Sequence, residues 1–302
     1  MNRKRAVVFA YSSIGCECLE ELLACVEVAA VFTHEDDPAE EKWFHSVREL
    51  AEKNSLPVRA PDKLGKNEAD SIRELRPDLI FSFSYRTVIP VSILELAPLG
   101  AFNLHGALLP RYRGRACVNW AVLRGETQTG VTLHHMVARV DEGRVVDQEA
   151  VSIGPDDTAY DVFKKMIPAA RTALRRSLPS ILEGTAHGWE QDESLATYFG
   201  RRRPEDGLID WSKPATDVRN LVRAVTHPFP GAFTYLNGKK LLVWSVRICP
   251  EAPRAAAGVV VSSSPLRVGA GDGVLQIERA GWDNGEELDG EELNLPVGAE
   301  MA

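Results

Sequence analysis

Apolar residues in the first third of the chain come in near-continuous runs at Ala6 to Ala10, Val28 to Thr33 and Asp78 to Ser84. Between them lie segments around Cys16 to Cys25, Trp43 to Asn54 and Glu68 to Leu75, where apolar positions recur with the helical period. This alternation predicts a parallel sheet covered by helices. The strands are apolar at consecutive rather than alternate positions, which means both of their faces are buried. The expected class is α/β with a doubly wound, mostly parallel, Rossmann-like sheet.

Further strands are predicted at Ala101 to His105 and Val131 to Val137, with a hairpin-like return at Arg144 to Ile153. A long helix follows from about Ala159 to Glu183, with irregularities expected at Pro168 and Pro179. Beyond it the pattern changes to short strands at Gly231 to Leu236, Leu241 to Ile248, Gly258 to Val261, Leu266 to Gly269 and Val274 to Arg279. Asn237-Gly238 and Gly271-Asp272-Gly273 punctuate them as hairpin turns. We therefore expect a catalytic domain over 1–188, a linker over 189–205 and a smaller β-barrel, OB-like domain over 206–302. The acidic tail from Asp283 onward is expected to be loosely ordered.

At 302 residues, with 44% hydrophobic and 26% charged positions, the chain has the makings of two globular domains. A net charge of -8, and an excess of acidic over basic residues from Gly207 onward, argue against a nucleic-acid partner. No apolar run reaches the roughly 18 residues of a membrane span, so a cytoplasmic protein is expected. Cys16, Cys18, Cys25, Cys117 and Cys249 are odd in number and lack paired C-x-x-C spacing, so neither a disulfide framework nor a metal site is expected.

The first βα turn, Tyr11-Ser12-Ser13-Ile14-Gly15-Cys16, lacks the G-x-G-x-x-G on which a dinucleotide pyrophosphate rests, so NAD is not expected. Chemistry concentrates instead at the end of the strand Ala101 to His105. Side chains two apart on a strand share a face, so Asn103 and His105 project together. An amide N–H can hold the oxyanion of a tetrahedral intermediate, and an imidazole can move protons to and from the reacting groups. A carboxylate must orient that imidazole, and Asp141, in the turn after the next strand, is the candidate. Taken singly, a histidine at a strand end or an aspartate near a glycine is an ordinary structural residue.

The run Phe102-Asn103-Leu104-His105-Gly106-Ala107-Leu108-Leu109-Pro110-Arg111-Tyr112-Arg113-Gly114-Arg115, with Gly130-Val131-Thr132-Leu133-His134 and Asp141-Glu142-Gly143, resembles the 10-formyltetrahydrofolate-dependent formyltransferases. Matches at Val7 to Tyr11, Phe32-Thr33-His34, Phe199 to Arg202 and Pro230 to Phe233 resemble the branch acting on UDP-4-amino-4-deoxy-L-arabinose, an activity tied to lipid A modification and polymyxin resistance. The resemblance implies a formyl group moved from 10-formyltetrahydrofolate to the 4-amine of a nucleotide-linked sugar. It makes His105 the general acid/base, Asn103 the oxyanion donor, and Asp141 the residue that raises the pKa of His105. It places the folate on Thr87, Val88, Ile89, Arg115 and on Val137, Ala138, Arg139, Val140 and Asp141. Two departures stand out: Ala107 replaces the usual serine, and Cys117 replaces the usual proline.

Arg111, Arg113 and Arg115 in the loop beside the site, and Arg201 and Arg202 further on, are candidates to meet the phosphates of a nucleotide sugar, with a solvated charge cluster as the alternative. Adjacent in a strand, His134 and His135 point to opposite faces and make a poor metal pair. Glu35-Asp36-Asp37 before Pro38 reads as a solvated loop. Trp43, Trp120, Trp189, Trp211 and Trp244 read as core. Methionyl-tRNA formyltransferase shares the strand-end motif but is disfavoured by the acidic second domain. The resemblance also makes glycinamide ribonucleotide formyltransferase less natural, and a non-catalytic folate or nucleotide-sugar binding module has to be weighed too.

Overall fold

The computed structural model describes residues 3–35, 43–283 and 285–302. By internal contacts the chain falls into two compact units, one of 1–117, 128–152 and 163–200, the other of 118–127, 153–162 and 201–302.

The first unit begins β1 (Arg5–Ala10), α1 (Ser12–Leu23), β2 (Glu27–Phe32), α2 (Val47–Lys53), β3 (Val58–Arg59), α3 (Lys66–Leu75), β4 (Leu79–Phe83), α4 (Val91–Leu94) and β5 (Ala101–His105). It continues through β6 (Arg113–Gly114) and, past α5 (Cys117–Leu123), which belongs to the second unit from Val118 on, through β7 (Gln128–His135), β8 (Val145–Ser152), most of α6 (Ala159–Glu183) and β9 (Tyr198–Phe199). Seven strands form one sheet in the order β3-β2-β1-β4-β5-β7-β8. Its members from β3 to β5 run parallel, while β7 and β8 add antiparallel.

The continuous apolar runs are buried on both faces as expected, with Phe9, Phe32, Phe81, Phe83 and Phe102 among the largest fully buried side chains. The predicted helix at Trp43 starts only at Val47, because Ser46 caps it by accepting from the Glu49 N–H at 3.3 Å. Asp36, Asp37 and Pro38 of the expected loop lie outside the described residues. Despite Pro168 and Pro179, α6 runs unbroken for 25 residues.

Within the second unit, α7 (Ala215–Val225) packs its apolar stripe, including Val218 and Val222, on an antiparallel sheet; this helix escaped the sequence reading. The sheet comprises β10 (Ala232–Leu236), β11 (Lys239–Ile248), β12 (Val260–Ser263), β13 (Leu266–Gly269), β14 (Val274–Trp282) and β15 (Leu288–Asp289). Its order is β10-β11-β14-β13-β12, with β15 on β14. The tail expected to be loose instead joins the two ends of this sheet. Met301 bridges to Leu236 at the β10 end, and Glu300 bridges to Val259 beside β12. Exposed ends of a sheet carry unpaired backbone groups, and the tail satisfies them, which outweighs its acidic composition.

Candidate active site

Register lays the site out as a row across the sheet. Phe9 of β1 pairs with Ser82 of β4, Ser82 with Asn103 of β5, and Asn103 with His134 of β7. One step further, His105 pairs with Thr132. Because side chains alternate along strands, all of these project from one face, while Phe81, Phe102 and Leu104 pack on the other. Along this row the face passes from apolar Phe9 to polar Ser82, Asn103 and His134.

Asp141 comes from the loop between β7 and β8 and folds back over that face. Its Oδ1 lies 3.5 Å from His105 Nδ1 and 3.6 Å from His134 Nε2, and its Oδ2 accepts the Gly114 N–H at 2.9 Å. Asn103 Nδ2 is 3.1 Å from His134 Nε2. The three residues expected from the sequence are thus brought together, and His134 joins them. His134 was set aside in the sequence as half of a poor metal pair. The alternation that separates it from His135 also puts it on the face of Asn103 and His105, but only the pairing of β7 with β5 makes that visible.

His105 and Asp141 are both about 94% buried, each with 6% exposure, so their charges interact with little screening. Burial works against a charged ring, but the Cys117 sulfur, the Asp141 carboxylate and the Tyr112 carbonyl push His105 up to about 10. Burial likewise disfavours the Asp141 carboxylate, yet His105, His134 and the Gly114 N–H hold it down at about 2. Proton inventory agrees: His105 Nε2 is 2.8 Å from the Tyr112 carbonyl, which can only accept, and its Nδ1 faces a carboxylate. The resting ring is therefore an imidazolium paired with Asp141.

The loop after β5 is held by its backbone. Thr132 Oγ1 donates to the Ala107 carbonyl at 2.6 Å and accepts the Leu109 N–H at 3.0 Å, and Gln148 Nε2 donates to the Leu109 carbonyl at 2.8 Å. None of these bonds uses the side chain at 107, so alanine leaves the loop in place. Cys117 sits 3.4 Å from His105 Nε2 and donates to the Tyr112 carbonyl at 3.1 Å, so its thiol shares an acceptor with the imidazole. Positive φ angles cluster here, at Tyr112 (59°), Gly114 (101°), Ala116 (55°) and Asp141 (61°). Such strain concentrates where surrounding contacts over-determine the backbone.

Arg113 corrects the phosphate expectation. Its side chain is fully buried, bidentate to Glu193 at 2.6 and 2.9 Å, and bonded to Gln191 and the Tyr198 hydroxyl. Gln191 in turn donates to the carbonyls of Asp141 and Gly143, both at 2.7 Å. This arginine braces the Asp141 loop. Arg115 is exposed and its Nη2 donates to the Arg86 carbonyl at 2.9 Å.

Apart from Arg115, the positions that the resemblance assigns to folate lie on two loops. Val88, Val137 and Val140 are exposed, Ala138 and Arg139 are exposed between them, and Thr87 is partly buried. Ile89 packs in the core with Ile93 and Leu94, leaving only its backbone available. Arg201 is exposed in the second unit, while Arg202 lies 4.8 Å over the Trp120 ring and its Nη2 donates to the Asp206 carbonyl at 2.8 Å. Of the five tryptophans expected in the core, Trp211 is core, with its Nε1 donating to Thr234; Trp43, Trp120 and Trp244 are partly buried, and Trp189 is half exposed and is not core.

The formyl transferase family model matches residues 7–178, and the model of the family's C-terminal domain matches 202–295. The chain belongs to the formyl transferase family. Among solved structures it resembles WlaRD, a sugar 3N-formyl transferase crystallised with dTDP and 5-N-formyl-THF, at 18% identity and a TM-score of 0.69 over 95% of this chain and 100% of that one. An N-formyltransferase from Helicobacter canadensis, in complex with folinic acid and dTDP-3-aminofucose, matches at 20% identity and 0.67, covering 91% and 99%. HypX from Aquifex aeolicus matches at 17% identity and 0.64 over 97% of this chain but 47% of its own, so the chain spans about half the length of HypX. These likenesses show a shared fold. No helix among the described residues is long and apolar enough to cross a membrane.

Proposed function

We propose that this protein is an N-formyltransferase that moves the formyl group of 10-formyltetrahydrofolate to the 4-amine of a nucleotide-linked amino sugar, UDP-4-amino-4-deoxy-L-arabinose in particular. The observation that carries the reading is the convergence of Asn103, His105 and Asp141 on one sheet face within the family's fold. Two similar structures hold folates together with dTDP or a dTDP amino sugar, which supports the substrate class. The UDP-arabinose branch rests on the motif likeness alone.

The residues fit a folate. Val88, Val137 and Val140 offer exposed apolar surface to a flat pterin, and the loop backbones offer fixed hydrogen-bonding groups. When bound, 10-formyltetrahydrofolate supplies the electrophilic formyl carbon. Asn103 donates an N–H to the oxygen of that carbon as the amine adds and charge develops on it. His105, resting as an imidazolium, adds positive charge beside the same oxygen. The proton lost by the amine must end on N10 of the departing tetrahydrofolate. His105 relays it, giving its own proton to N10 and taking one from the amine, while Asp141 keeps the ring oriented and charged. No covalent enzyme intermediate is needed.

The test is formyl uptake from 10-formyltetrahydrofolate, read by product mass, across UDP-4-amino-4-deoxy-L-arabinose, dTDP 3- and 4-amino sugars, methionyl-tRNA and glycinamide ribonucleotide. Transfer to the UDP sugar well above the rest is expected. Preference for a dTDP sugar would correct the nucleotide, and transfer only to methionyl-tRNA or to none would overturn the proposal.

A further inference from the structure

One nitrogen of His134 has its proton assigned by its surroundings. Nδ1 lies 2.9 Å from the His135 carbonyl, and a carbonyl oxygen only accepts, so Nδ1 carries a hydrogen. In the neutral ring Nε2 is then a lone pair. Facing it at 3.1 Å is the side-chain amide of Asn103, which can meet a lone pair only with its nitrogen. The two ends of an amide are almost the same size, so hydrogen bonding, not packing, decides which way it points. Among the described residues, this bond alone orients the Asn103 side chain.

We propose that His134 is a positioning residue that fixes the orientation of the Asn103 amide. The inference rests on the proposed role of Asn103 in formyl transfer. With Nδ2 anchored on Nε2, its second N–H is the donor left for the developing oxyanion.

Around this pair, Asp141 Oδ1 on the β7–β8 loop lies 3.6 Å from His134 Nε2, and the His105 ring centroid on β5 is 6.4 Å away. His135, next along β7, donates from Nε2 to the Ala186 carbonyl at 2.7 Å, while its own carbonyl faces His134 Nδ1.

The test compares H134Q and H134L in the full chain. Glutamine offers a carbonyl that accepts from Asn103 Nδ2 and does not titrate. H134L is expected to lower kcat by about 10²–10³-fold, the typical loss of one oxyanion donor, with KM changed by less than about threefold. H134Q is expected to recover kcat to within about tenfold of the native enzyme. H134Q as slow as H134L would overturn the inference. Nitrogen-15 NMR of His134 judges it without turnover: the Nδ1–H tautomer at neutral pH supports it, and the Nε2–H tautomer overturns it. If the native protein transfers formyl to no acceptor, the functional reading fails while the tautomer measurement still decides this one.

Discussion

Replacing Asp141 by Asn removes a charge and little else. At φ 61° the backbone is in the left-handed region that asparagine also tolerates, and the amide oxygen can still accept the Gly114 N–H. The carboxyl falls from an ordinary 3.8 to about 2 in the folded protein. At about 1.36 kcal/mol per tenfold change in proton affinity, that is roughly 2 kcal/mol of stability held by the charged form. Only 6% of the residue is exposed, so solvent screening takes little from this figure. The raised value of His105 owes part to the Cys117 sulfur and the Tyr112 carbonyl and contains the Asp141 interaction seen from its other end, so it is not added to this figure.

The signs follow by linkage. A depressed carboxylate contributes fully above its unfolded value near 3.8, and that contribution is lost as pH falls toward about 2. A raised imidazole contributes fully below 6.5 and loses its contribution as pH rises through about 10. The pair is therefore most stabilising between about pH 4 and 6.5. Urea unfolding at pH 6 should show D141N less stable by about 2 kcal/mol, with the gap narrowing stepwise below pH 4 and again above pH 7. His105 should titrate far lower in the variant when followed by NMR. Equal stabilities at pH 6, or a gap that ignores pH, would refute the ion pair as the source of the perturbed values.

Asn103→Ala should slow turnover by about 10²–10³-fold with little change in substrate KM, and an unaltered rate would remove Asn103 from the mechanism. Val88→Asp, which puts a charge on an exposed apolar position, should raise the folate KM at least about tenfold while leaving the KM for the sugar alone. An unchanged folate KM would place the pterin elsewhere. Gly114→Ala should cost about 2 kcal/mol or more and depress activity, because the new Cβ would stand 2.2 Å from the Phe199 carbonyl and the residue sits at φ 101°. A thermal midpoint equal to that of the native protein would contradict the close approach of β6 and β9.

Local patterning was enough for the elements that bury apolar surface. Runs such as Ala6 to Ala10 and Asp78 to Ser84 have one favourable solution, a strand covered on both faces, and the two-residue spacing of Asn103 and His105 sets a shared face by backbone geometry alone. Hairpin glycines likewise located most of the second sheet, because a turn needing positive φ is chemically visible in one or two residues, as Asn237 and Gly238 show. Long-range pairing was not legible. Whether His134 stands beside Asn103 depends on β7 adding antiparallel to β5 in one register, and a shift of one residue would have turned His135 inward instead. Arg113 looked like a phosphate ligand because its partners Gln191, Glu193 and Tyr198 lie about 80 residues away. The acidic tail looked loose because the two ends of the sheet that it closes appear nowhere in its own composition. The sequence by itself determined most of the strands and helices, α7 excepted, and which chemistry is present. The tertiary structure decided which polar groups meet, since hydrogen bonds and ion pairs act only over a few ångströms between groups the chain must first bring together.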